Sequence, residues 1–344
     1  MIQFQCDYNQ TCHPAILEAL GRVGMEQIVG YGEDHYCQEA RRLIRQLVGR
    51  EDADVHFLVG GTQTNMTVIS SALRPYQGVI AADTGHINVH ETGAIEHSGH
   101  KVIALPARDG KIDASQVKAA IDAHYAENGP EHTVQPGMVY ISFPTEVGTI
   151  YSLAELEAIH DVCRSGHVPL FIDGARLGYG LCSPQCDVTL RDIARLADVF
   201  YIGGTKVGAM MGEAVVITAD ELKRDFRYHI KQNGGMLAKG WLLGVQFLTL
   251  FTDNLYMRIA QNAINQAMRL RDALKDAGYT MYAESPTNQQ FVVITDEELQ
   301  RLSHDFLLEP WGRVDSTHMA VRICTSWATT DADIDRLTAA LCAR

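Results

Sequence analysis

Pro169-Leu-Phe-Ile-Asp173-Gly-Ala-Arg176 and, one helix-length later, Asp198-Val-Phe-Tyr-Ile202-Gly-Gly-Thr205-Lys206 decide how this chain is read. Each is an apolar run of strand length that stops at a glycine-containing turn bearing charged side chains. Working outward, Asp54-Val-His-Phe-Leu-Val59, Gly78-Val-Ile-Ala-Ala82, Lys101-Val-Ile-Ala-Leu105 and Met138-Val-Tyr-Ile-Ser142 are further strand candidates. Helix-like segments separate them from about residue 15 to 245, which predicts an α/β architecture with a mostly parallel sheet. In such sheets the chemistry gathers where strands run out into turns.

Beyond the last of these strands, Gly240-Trp-Leu-Leu-Gly-Val-Gln-Phe-Leu-Thr-Leu-Phe251 is apolar nearly all round and too short for a membrane span, so it reads as a buried helix. Residues 255–277 suit a long amphipathic helix that Gly278 ends. Short strands around 291–294 and 318–323, and a closing helix opened by a Thr330-x-x-Asp333 capping box, complete the chain. The expected division is an arm over 1–14, a large domain over 15–250 and a small α+β domain over 251–344.

The chain has 344 residues, 46% of them hydrophobic, and a formal net charge of −13 from 42 acidic against 29 basic side chains. Without a dense Lys/Arg run, that balance argues against nucleic acid or an anionic membrane as the main partner. The start, Met1-Ile-Gln-Phe-Gln-Cys-Asp7, carries no basic, apolar leader, which points to the cytoplasm and to reduced cysteines. Cys182-Ser-Pro-Gln-Cys186 is the one close pair and lacks two further ligands for a metal.

Five places have the residue types for chemistry. Gly60-Gly61-Thr62-Gln63 lies between a strand and a helix, where free backbone amides can face a phosphate or merely make a tight connection. Asp173 leaves its strand either as a cap or partner of Arg176, or as a carboxylate that keeps a cofactor's pyridine nitrogen protonated. Lys206 follows Gly-Gly-Thr205 in an apolar setting. Burial there would lower an amine pKa that is ordinarily about 10.4, as a Schiff-base lysine requires, whereas a loop lysine is otherwise solvated. His86, in Asp83-Thr-Gly-His-Ile-Asn-Val-His-Glu91, can stack on a cofactor ring, serve structure alone, or join His90 and Glu91 in the zinc site of a hydrolase. Arg322, flanked by Val and Ile on a predicted strand, points either to solvent or into a cleft where its fork would hold a carboxylate.

No single motif decides among these readings, but their order does. Asp7, Tyr31-Gly-Glu-Asp34, Gly61-Thr-Gln, His86, Asp173-Gly-Ala-Arg176, Thr205-Lys206, Gly234-Gly-Met, Thr287-Asn288 and Arg322 together resemble the threonine aldolase and aromatic amino acid β-eliminating lyase group of fold-type I pyridoxal phosphate (PLP) enzymes. The resemblance implies the aspartate aminotransferase type of fold. It implies Lys206 as the Schiff-base lysine, Asp173 at the pyridine nitrogen, His86 on the ring, and Gly60, Gly61, Thr62 and Thr205 at the phosphate. Arg176 and Arg322 would face the substrate carboxylate, with Asp7 and Tyr31 also near the substrate. A homo-oligomer, dimer or tetramer, would share active sites, with Tyr31 close to a neighbouring subunit.

The implied reaction is aldol cleavage of a small β-hydroxy amino acid, L-threonine or L-allo-threonine, to glycine and an aldehyde. β-Elimination or racemisation would use the same cofactor contacts. Two departures stand out: Cys6 precedes Asp7 where many aldolases have Ser, and Pro144-Thr-Glu146-Val-Gly148 lacks a Thr-His pair that those enzymes often carry. Removal of the β-hydroxyl proton would then fall to Glu146, His86 or water.

Overall fold

The computed structural model describes residues 1–342. Seven strands form the central sheet, in the spatial order Asp54–Leu58, Glu213–Ile217, Val199–Gly203, Leu170–Asp173, Gln135–Ser142, Gln77–Ala82, Val102–Leu105. Glu213–Ile217 pairs antiparallel with both neighbours, while the other sheet pairings are parallel. Leu170–Asp173, Val199–Gly203 and Glu213–Ile217 are buried along their whole length, as a sheet covered on both faces demands. One core layer packs Ile172, Phe200, Ile202, Leu243 and Phe247 together; the other, across the sheet, holds Tyr140, Phe171 and Tyr201.

The buried helix expected near 240–251 is Trp241–Phe251, and the long amphipathic one is Leu255–Asp276. Helix Trp241–Phe251 lies against helix His35–Val48, and Gly244 permits the approach: an added Cβ would sit 2.5 Å from Cys37 Sγ and 2.6 Å from its backbone nitrogen. Beyond these helices a four-stranded antiparallel sheet runs Glu309–Arg313, His318–Cys324, Gln289–Thr295, Met281–Ala283. Leu270, Leu274, Ile334 and Leu337 cover it.

Thr330 opens the Asp331–Cys342 helix with the expected reciprocal bonds, Asp333 N–H to Thr330 Oγ1 at 3.2 Å and Thr330 N–H to Asp333 Oδ2 at 3.0 Å. The first residues join this part of the molecule: Ile2–Gln3 pairs in parallel with Phe306–Leu307, and Phe4 enters its core. Among the described residues no helix is long and apolar enough to cross a membrane.

Candidate active site

Parallel strands that end together bring the motifs together. Gly203 N–H donates to Gly174 O at 2.9 Å, and a side chain at Gly174 would run into the Tyr201 carbonyl, so the turns after Asp173 and before Lys206 lie in direct contact. A cavity of about 310 Å³ opens at this edge. Gly60, Gly61, Thr62, His86, Glu146, Asp173, Arg176, Thr205 and Lys206 all line it, joined by Asn65, Ser142, Tyr201 and Glu213, which the sequence did not single out.

Asp173 is 5% exposed and receives four donors. Tyr201 Oη at 2.6 Å and Ala175 N–H at 2.9 Å meet Oδ1; Tyr140 Oη at 2.6 Å and Asn65 Nδ2 at 3.2 Å meet Oδ2. Burial pushes this carboxyl up, but the nearby His86 imidazole, the two tyrosine hydroxyls and the Ala175 amide outweigh it and hold it below the usual carboxylate range. Burial and the Arg176 guanidinium keep the Lys206 ammonium below its ordinary value, against the opposing pull of Asp7, Asp173 and Glu213. The amine is thereby readier to act as a nucleophile.

His86 is fixed from behind, its Nδ1 2.8 Å from Glu91 Oε1. The same oxygen accepts Asn65 Nδ2 at 2.7 Å, so one amide links the partner of His86 to Asp173. This pairing takes Glu91 away from the zinc arrangement that His86, His90 and Glu91 suggested in sequence. No group of three or more His, Cys, Asp or Glu among the described residues is arranged to hold a metal.

Glu146 accepts Ser142 Oγ at 2.6 Å and the His86 backbone N–H at 3.0 Å, both on Oε1. Burial raises its carboxyl above the usual range despite those donors. Glu213, 3% exposed, accepts Gly204 N–H at 3.1 Å, and burial pushes it up to about 8.

The candidate substrate residues are less uniformly placed. Arg176 lines the cavity, yet its Nε and Nη2 reach Asp7 at 2.6 and 3.0 Å, and Asn288 Nδ2 adds a 2.9 Å bond to the same carboxylate. Asp7 is therefore fully buried under Arg176 and does not line the cavity. Arg322 lies outside the cavity wall, with Nη2 on Gln5 O at 3.0 Å, its guanidinium 5.1 Å over the Trp311 ring, and a buried Nε that has no partner. Tyr31 is elsewhere, half-exposed and lining a separate small pocket with Arg41, His56 and Arg227.

The donor set suits a phosphorylated pyridine aldehyde. Helix Gly61–Ala72 begins with no side-chain cap at Gly60, leaving its first amides to a phosphate, and an added Cβ at Gly61 would approach Tyr201 Oη to 3.3 Å. The beta-eliminating lyase family profile matches residues 3–297. The chain belongs to that family. Family membership makes it a PLP-dependent lyase. It is 28% identical to the low specificity L-threonine aldolase of Pseudomonas aeruginosa over 308 residues, which is 87% of this chain and 86% of that one. The structure of Leishmania major threonine aldolase superposes with a TM-score of 0.96 at 44% identity, covering 99% and 98% of the two chains. A Thermus thermophilus aspartate aminotransferase variant, 15% identical, shares the fold with a TM-score of 0.73 over 99% of this chain and 91% of its own. The family fold is thus of the aspartate aminotransferase type, as the sequence implied.

Proposed function

We propose that this lyase cleaves L-threonine or L-allo-threonine between Cα and Cβ, giving glycine and acetaldehyde. The observation that carries the reading is the gathering of Lys206, Asp173, His86 and the Gly60–Gly61 helix start around one cavity. Likeness to the Leishmania threonine aldolase over almost the whole chain supports it.

PLP supplies an electron sink for the charge left on Cα when that bond breaks. Around it, Lys206 Nζ would hold the aldehyde carbon, Asp173 the ring nitrogen, His86 a ring face, and the amides of residues 60–62 with Thr205 the phosphate. Arg322 would orient the substrate carboxylate by turning from Gln5 O and the Trp311 ring toward the cavity, and Arg176, kept in place by Asp7, would present a second guanidinium there. Glu146 is our choice for the group that removes the β-hydroxyl proton: it faces the cavity, and its raised proton affinity makes it a stronger base than an ordinary carboxylate. We further propose a dimer or tetramer in which Tyr31 meets the substrate of a neighbouring copy.

Lys206→Ala tests the assignment: absorbance of bound cofactor and cleavage of threonine should both vanish, and full aldol activity in the variant would refute it. A β-eliminating reading, which the family's own description favours, predicts pyruvate from serine or cysteine. Assaying threonine, allo-threonine, phenylserine, serine and cysteine for glycine, aldehyde and pyruvate separates the two.

A further inference from the structure

Tyr140 and Tyr201 have no part in the chemistry above, yet they are fixed on the carboxylate at its centre. They come from the strands Gln135–Ser142 and Val199–Gly203, which flank Leu170–Asp173 on either side, and each is 1% exposed. Each donates a hydroxyl hydrogen bond to a different oxygen of Asp173 at 2.6 Å. Burial first, and then the charge of Asp173, raises both phenols well above their usual range, so both remain donors.

We propose that Tyr140 and Tyr201 hold Asp173 in its carboxylate form, so that the proton shared between Asp173 and the cofactor's ring nitrogen stays on the nitrogen. They are positioning residues for the electron sink. The inference rests on the reading that Asp173 faces that nitrogen.

The physical choice is between an ion pair, carboxylate with pyridinium, and a neutral pair, carboxylic acid with pyridine. A buried site favours the neutral pair, because both ions lose hydration. Hydrogen bonds to the carboxylate reverse that preference, since charge-assisted donors bind the anion far better than the acid. Besides the two tyrosines, His86, Lys206, Glu146 and Glu213 interact electrostatically with Asp173, and of these four only His86 and Lys206 oppose its protonation. All four acceptor positions of Asp173 are filled, so the ring nitrogen must share or displace one donor. Asn65 is the one that can yield: its bond is the longest at 3.2 Å, and its Nδ2 has Glu91 as a second acceptor at 2.7 Å. The tyrosine hydroxyls have no such alternative at that distance and would stay.

The experiment is a ¹⁵N NMR measurement of holoenzyme loaded with ring-labelled PLP, alongside cofactor affinity by equilibrium dialysis. We expect a pyridinium-type signal in the wild type near neutral pH. Tyr140→Phe and Tyr201→Phe, which each remove one oxygen and keep the ring, should move it toward the neutral-pyridine position, and further in the double variant. Because the two substitutions lie on different strands, either alone tests the claim if the other does not fold. Asp173→Asn distinguishes the two levels of the reading. If it leaves the nitrogen signal unchanged, Asp173 does not face the ring; if it shifts the signal while the phenylalanine variants do not, the tyrosines only pack, and the proposal fails.

Discussion

At Glu146 the chain places a carboxyl, raised in proton affinity by burial, between Ser142 and the amide of His86. If it takes the hydroxyl proton, Glu146→Gln should lower kcat by about 10²- to 10⁴-fold with cofactor binding retained. Since the base works only when ionised, kcat of the wild type should fall as pH drops through a value above the ordinary carboxylate range, and the variant should lose that limb. A pH profile of kcat in both proteins checks this. Asp7 behaves in the opposite sense. Burial raises it, but Arg176, Lys206 and Asn288 more than offset that and hold it low. Its stabilising contribution is complete above the unfolded-state value of about 3.9 and is lost as pH falls through the lower folded value. Asp7→Ala should cost about 3–5 kcal/mol at neutral pH by stranding buried Arg176, with the gap to wild type closing in acid. Denaturant unfolding across pH measures it. That Lys206, Asp173, His86 and the glycine turn would meet at one cavity was legible because each follows a strand in a fixed order. Tyr140, Tyr201, Asn65 and Glu213 were not, since they act from neighbouring strands and helices and carry no local pattern; two tyrosine hydroxyls inside apolar strands were the only hint. Nor could spacing show that Asp7, 169 positions away, closes on Arg176.

Among elements, the first key strand ends at Asp173 as read and the second runs one residue past the expected Ile202 to Gly203, because a hydrophobic run followed by glycine marks both the strand and its exit. The Thr330 cap was equally local. Glu213–Ile217 went unread, and its reversed direction is set by the 204–212 connection from Val199–Gly203 rather than by its own side chains, which after Glu213 are as apolar as those of a parallel strand. The Ile2–Gln3 pairing with Phe306–Leu307 is likewise a long-range choice. Helix packing gives a sharp test. Gly244→Ala would press a methyl into the Cys37 backbone, and an overpacked contact of this kind should cost about 1–3 kcal/mol. Thermal unfolding should show a lowered midpoint; an unchanged one would mean the two helices separate freely.

On the scale of the molecule, the sheet edge serves as a common plane on which residues distant in sequence address one small molecule. In an acidic chain of net charge −13, Arg176, Lys206 and His86 stand at that edge beside Asp173, Glu146 and Glu213, so cationic groups for an anionic cofactor and a substrate carboxylate lie next to carboxyls that can hold or move protons. Whether Lys206 holds PLP can be tested on the whole protein without any substitution. Purified protein loaded with PLP, reduced with borohydride and digested, should yield a single pyridoxyl-bearing peptide with the label on Lys206. A label on another lysine, or none, would rule out Lys206 as the Schiff-base residue.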